Sequence, residues 1–108
     1  MSGGDDKRYD YRTYDSLLNS PIRLAVMSLL AGTGEADFTF IRDKTGTTDG
    51  NLSRHLAKLE ESGLIEVIKG FEGKKPVTRQ RLTKQGKAAL RDYVKNLEAL
   101  IGTIKESK

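Results

Sequence analysis

Residues 47–63 read TTDGNLSRHLAKLEESG, and the fold turns on how this stretch is read. Leu52, Leu56 and Leu59 recur at i, i+4 and i+7, one face of an α-helix. A surface helix ordinarily fills its opposite face with long charged side chains. Here that face opens with Thr, Asp, Gly, Asn and Ser, small groups rich in donors and acceptors. Thr48 suits the N-cap, the helix is predicted to run to Ser62, and Gly63 stops it. Such a helix lets something polar approach its backbone closely.

Composition narrows what that partner is. A chain of 108 residues holds one domain with one core. With 36% hydrophobic and 31% charged residues it reads as globular rather than disordered. The absence of cysteine excludes a disulfide framework and a thiolate metal site. No apolar run is long enough to cross a bilayer, and MSGGDDKRYD lacks the apolar core of a signal peptide, so a cytoplasmic protein with no membrane partner is expected. The net charge of +4 is unevenly spread. Residues 1–68 carry a balance of −3, whereas residues 69–91 hold eight basic residues against Glu72 alone. A segment so charged is what an anion-binding surface needs, although it also serves solubility.

Residues 1–8 read as a flexible tail and residues 9–108 as a single domain. Tyr9 to Asn19 suits a short helix or an ordered arm. Ser20-Pro21 starts a helix, with Ile22, Ala25, Val26, Leu29 and Leu30 at helical spacing and Gly32 and Gly34 at its end. Having only Arg23 as a charge, this helix is expected to be the buried central one. A second helix is predicted over Phe38–Lys44, with Thr39 as its cap and Phe38 and Ile41 inward, followed by the turn Thr45-Gly46-Thr47. Leu64–Lys69 and Val77–Leu82 are β-branched runs of strand length, joined by a hairpin loop over Gly70–Pro76. Thr83 to about Lys105 forms one long helix. The fold class is thus mainly α with a small antiparallel β-hairpin: a winged helix-turn-helix with a long C-terminal dimerisation helix, about 83–105.

Residues 20–90 resemble the small winged-helix transcriptional regulators related to the MarR and ArsR groups. The likeness rests on SPIRLAVMSLL, on FTFIRDKTGTTDGNLSRHLAKLEESGLIEV and on the end of the wing, TRQRLTKQGKAAL. Polar positions match as well as leucines, although Thr47 stands where the family commonly has an aliphatic residue. The resemblance implies binding to double-stranded DNA, a homodimer, and control of transcription, usually repression.

The residues support this reading independently. With Leu52 at zero, Gly50, Asn51, Arg54, Ala57 and Lys58 fall on the opposite arc at about 100° per residue. A major groove admits one helix, and small residues near its N-terminus let the backbone come near. Asn51 presents a bidentate edge to adenine and Arg54 one to guanine. Thr48 and Ser53, with the free N–H groups of the first turn, suit phosphate oxygens, as does Lys58 one turn on. Asp49 either stabilises the helix start or accepts from cytosine. His55, the only histidine, lies on the flank of the leucine stripe, where it packs at the edge or touches a phosphate. Ser53 and His55 point about 160° apart on a helix and are no nucleophile–base pair.

In the wing, 69–82, Lys74 and Lys75 place charge near the tip, and Arg79 and Arg81 project from one strand face. Such arginines suit a narrow minor groove or the backbone; they also discourage edge-to-edge association. The resemblance favours Arg79 for the minor groove and Arg81 for the backbone. On the last helix, Leu90, Val94, Leu97, Ile101 and Ile104 are spaced 4, 3, 4, 3. One small core cannot cover that stripe. Tyr93, Val94, Leu97, Leu100, Ile101 and Ile104 are therefore the expected homodimer interface, the alternative being packing within the chain or on the Tyr-rich arm.

The competing reading is a winged-helix protein-interaction module of a transcription complex, without specific DNA readout. It would lack the paired Asn51 and Arg54 beside a basic wing. No enzyme is expected: one histidine, no cysteine, no P-loop and no scaffolded carboxylate pair leave no catalytic residues to name. No metal site or cofactor is read either, and nothing in the pattern identifies a small-molecule effector.

Overall fold

The computed structural model describes residues 16–106. The expected tail and the three tyrosines of the arm, Tyr9, Tyr11 and Tyr14, lie outside the described residues. The elements are α1 (Pro21–Thr33), β1 (Glu35–Asp37), α2 (Phe38–Thr45), α3 (Asp49–Glu61), β2 (Ile65–Glu72), β3 (Lys75–Leu82) and α4 (Lys84–Glu106).

Helix α1 begins as its sequence dictates. The Ser20 hydroxyl accepts from the Arg23 N–H at 3.3 Å, Pro21 takes the first turn, and Gly34, at φ +85°, donates its N–H to the Leu30 carbonyl. Its buried face is Val26, Met27 and Leu30, while Ala25 is exposed. That corrects the inward position given to Ala25. Met27 lies about 60° from Leu30 on the helix and Ala25 about 140° from it. The helix sits at the centre, against α2, α3, α4 and the sheet.

The sheet is larger than the hairpin alone. Glu35, Ala36 and Asp37 pair antiparallel with Arg81, Gln80 and Arg79, giving three strands in the order β1-β3-β2. Asp37 then serves a second purpose: its carboxylate accepts from the Phe40 N–H at 2.8 Å and caps α2. This corrects the cap assigned to Thr39, which is an exposed residue inside the helix. Ile41 is fully buried and Phe38 packs against the core.

The hairpin strands run further than their hydrophobic pattern suggests. Only Gly73 and Lys74 turn the chain, with Gly73 at φ +63°, and Glu72 pairs directly with Lys75. The seven-residue loop expected over Gly70–Pro76 is corrected accordingly.

At the far end of the hairpin, Thr83 joins three elements. Its N–H donates to the Leu64 carbonyl at 3.1 Å, and its hydroxyl donates to the Gly63 carbonyl at 2.6 Å while accepting from the Gly86 N–H at 2.9 Å. Helix α4 thus starts hard against the beginning of β2. A Cβ at Gly86 would lie 1.9 Å from the Leu64 carbonyl oxygen, so only glycine permits this approach. The core beneath is built on Leu18, Met27, Leu30, Ile41, Leu52, Leu59 and Leu64, all fully buried. Each such side chain contributes about 1.5–3 kcal/mol.

Candidate nucleic-acid interface

Helices α2 and α3, joined by Gly46 in the left-handed conformation at φ +70°, form the helix-turn-helix. The Thr48 hydroxyl accepts from the Asn51 N–H at 3.2 Å and caps α3. Leu52, Leu56 and Leu59 are buried, which leaves the opposite arc at the surface. Gly50, Ser53, Arg54, Ala57 and Lys58 are exposed and Asn51 half-buried. Nothing lies within 4 Å of where a Gly50 Cβ would be, so this arc is open to approach.

Three contacts tune the arc. Arg42 of α2 bonds Asp49 at 3.0 Å and Asp43 at 3.1 Å, and its pKa is raised by hydrogen bonds to Asp49 and then Asp43. Asp49 is engaged within the chain and sits in the first turn, where its charge favours the helix. Arg54 donates to the Asn51 Oδ1 at 2.6 Å, so the two expected base readers hold each other. His55 is half-buried, and the Arg23 guanidinium donates to its Nδ1 at 3.1 Å. Arginine has no acceptor, so this bond places the imidazole proton on Nε2. Burial lowers the His55 pKa, and the charges of Arg23 and Arg54 lower it further. Arg23 also donates from Nε to the Leu17 carbonyl at 2.6 Å.

The wing has two unlike faces. By strand alternation Glu66, Glu72, Arg79 and Arg81 share one of them, where Arg79 bonds Glu72 at 2.9 Å and Arg81 bonds Glu66 at 2.7 Å. Arg81 also lies 3.9 Å from Glu35 of β1, and the hydrogen bond to Glu66 is the main cause of its raised pKa. These carboxylates come from two strands, β1 and β2, to meet arginines on β3, which a charge count along the chain does not reveal. Lys74 and Lys75 are exposed at the turn and have no ion-pair partner among the described residues.

Helix α4 separates the residues grouped as an interface. Tyr93 is half-buried against the chain's own core and donates its hydroxyl proton to the Asn19 Oδ1 at 2.7 Å. Val94, Leu97, Leu100, Ile101 and Ile104 remain exposed, from 37% at Leu97 to 61% at Ile104. Val94 also lines a groove of about 380 Å³ with Ala31, Leu82, Leu90 and the cationic Lys87, Arg91 and Lys95. Sequence reasoning missed β1, the Arg23–His55 bond and the Thr83–Gly86 junction; only Gly86, a glycine at a helical position, carried a visible signal. Among the described residues no three His, Cys, Asp or Glu side chains cluster to hold a metal, and no helix is long and apolar enough to cross a membrane.

Residues 22–101 match the family model described as winged helix DNA-binding domain. An uncharacterised protein of Methanocaldococcus jannaschii is 35% identical over 78 residues, spanning 72% of this chain and 85% of its own. A transcriptional regulator homologue from Pyrococcus horikoshii has a similar structure, with TM-score 0.76 and 29% identity over 82% of this chain and 88% of its own. A chain assigned to the MarR family, from Enterococcus faecalis, shares the fold at TM-score 0.73 and 23% identity, over 94% of this chain and 90% of its own.

Proposed function

This chain belongs to the winged helix DNA-binding domain family, and we propose that it acts as a homodimeric, sequence-specific transcriptional regulator, working by repression. Helix α3 lies in the major groove with Asn51 and Arg54 toward base edges. Thr48, Gly50, Ser53 and Lys58 meet the backbone, and Asp49 holds the helix start. Lys74, Lys75 and Arg79 of the wing reach the adjacent minor groove or its phosphates, with Arg81 nearer the base of the hairpin. The observation that carries the reading is the exposed arc of α3, small and polar at its N-terminal end, opposite leucines that are buried.

The exposed stripe on α4 supports the dimer. At 23 residues the helix is about 34 Å long, and its last turns carry Ile101 and Ile104 at the surface. Pairing two such stripes would place two α3 helices on half-sites about one helical turn apart. Repression then needs only occupancy of the operator.

Selection over random duplexes, followed by affinity measurement at rising salt, tests the proposal. Enrichment of a symmetric site is expected, with affinity falling steeply as phosphate contacts release counterions. No enrichment, or a flat salt response, would sink it.

A further inference from the structure

Phe71 is 72% exposed, more than any other large hydrophobic residue among the described residues. Single exposed apolar residues are ordinary on a protein surface; the surroundings set this one apart. It lies on the hairpin one position before the last strand pair, directly opposite Pro76. The pair flanking a two-residue turn, Glu72 with Lys75, is the hydrogen-bonded kind. Phe71 and Pro76 therefore form a non-hydrogen-bonded pair, with Cα atoms about 4.5 Å apart and side chains at their closest. The missing N–H of proline costs nothing at that position.

Alternation puts Lys69, Phe71, Pro76 and Thr78 on one face of the hairpin, continuous with Ile65, Val67, Gln80 and Leu82. Ile65, Gln80 and Leu82 are buried, so this is the side of the sheet that packs on the helices. The opposite side carries the compensated pairs Arg79–Glu72 and Arg81–Glu66. Near its tip, then, one face of the wing carries ion pairs together with the exposed Lys75, and the other sets an exposed aromatic ring beside Lys69.

We infer that Phe71, paired with Pro76 across the hairpin, is an apolar wedge that enters the minor groove of the bound duplex and bends it. This rests on the DNA-binding reading above. A ring pressed between base steps partly unstacks them and kinks the duplex toward the major groove. Lys69 and Lys74, in the same part of the hairpin, supply charge for the phosphates beside the ring. Unstacking is cheapest at pyrimidine–purine steps, so the wedge confers a sequence preference where no polar side chain reads a base.

The test uses the full chain with a selected duplex labelled at both ends for energy transfer. Wild type and Phe71→Trp are expected to shorten the end-to-end distance. Phe71→Ala should leave the duplex straight, bind about tenfold or more weakly, and lose any preference for a flanking pyrimidine–purine step. A Phe71→Ala variant that bends DNA like wild type overturns the inference. So does one whose sedimentation shows loss of the dimer, because Phe71 would then belong to a contact between copies. Wild type that binds duplex without bending it overturns this inference alone; wild type that binds no duplex overturns the DNA-binding reading as well.

Discussion

Arg54 donates a hydrogen bond to the Asn51 Oδ1 at 2.6 Å, one turn apart on the exposed arc of α3. The bond turns the Asn51 oxygen along the helix and leaves its NH2 group for an outside acceptor. Bidentate reading of adenine needs both atoms, so the pair must open or be shared on binding. Asn51→Ala and Arg54→Ala should each cost about 1–3 kcal/mol on the selected site. The double variant should lose less than the sum, since the residues act as a unit. Lys75→Ala should weaken all duplexes alike. Uniform losses from all three would remove base reading from α3.

Both wing arginines are ion-paired, Arg79 with Glu72 and Arg81 with Glu66 and, at longer range, Glu35. Arg81 is already held by Glu66, so Arg81→Ala should leave the salt dependence of DNA binding nearly unchanged. Glu66→Gln should leave Arg81 only its 3.9 Å contact with Glu35 and steepen the salt slope by up to about one unit per subunit. Titrations at several salt concentrations measure both.

Gly86→Ala should destabilise the fold by about 1–3 kcal/mol or more, because its Cβ would meet the Leu64 carbonyl oxygen, a backbone atom that cannot move aside. Gly102→Ala, on the same helix with nothing within 4 Å, should instead stabilise by up to about 1 kcal/mol. Urea unfolding of the two variants compares them directly.

Stability should depend on His55. Its folded pKa lies below the ordinary 6.5, so between the two values the unfolded chain binds more protons than the folded one. Stability is complete above pH 6.5, falls as pH drops through that window, and levels off below the folded pKa. His55→Gln, which can still accept from Arg23, should lack this step. Urea midpoints across pH 5–8 would expose a wild type with no step.

Ile101→Glu should dissociate the proposed dimer at micromolar concentration, because burying such a side chain is worth about 1.5–3 kcal/mol and symmetry counts each substitution twice. Tight operator binding should go with it. Sedimentation of wild type and variant reads the outcome; a dimer surviving Ile101→Glu would place the interface elsewhere. Tyr93→Phe, which removes only the bond to Asn19, should leave the dimer intact.

Much of this architecture is legible in local chemistry. Ser20-Pro21, Thr48 and the leucines of α3 announce themselves because caps and helical spacing involve residues three or four apart. β1 does not, since three residues show no periodicity and gain their strand geometry only from pairing with β3. The Asp37 cap follows from that pairing rather than from any pattern around Thr39. Pro76 reads as loop until the register shows its N–H is not needed. The exposed arc of the candidate site was legible because it lies on one helix; the ion pairs of the wing were not, because Glu35 and Glu66 meet Arg81 from other strands.

The bonds of Thr83 to Gly63 and Leu64 tie the two ends of the hairpin together at its base. The inner rungs stay fixed, because Arg79–Arg81 pair with β1 and Ile65 and Leu82 sit in the core, but the outer hairpin from Lys69 to Thr78 is a closed excursion beyond them. Doubling such an excursion adds only about 0.6 kcal/mol of closure entropy, and it leaves the register of α3 and the seat of α4 untouched. The outer hairpin is thus an exchangeable cassette: its reach can be lengthened, shortened or recharged while the inner rungs and the helix-turn-helix stay as they are. Regulators of this build can change what lies beside their operators without changing the operators themselves.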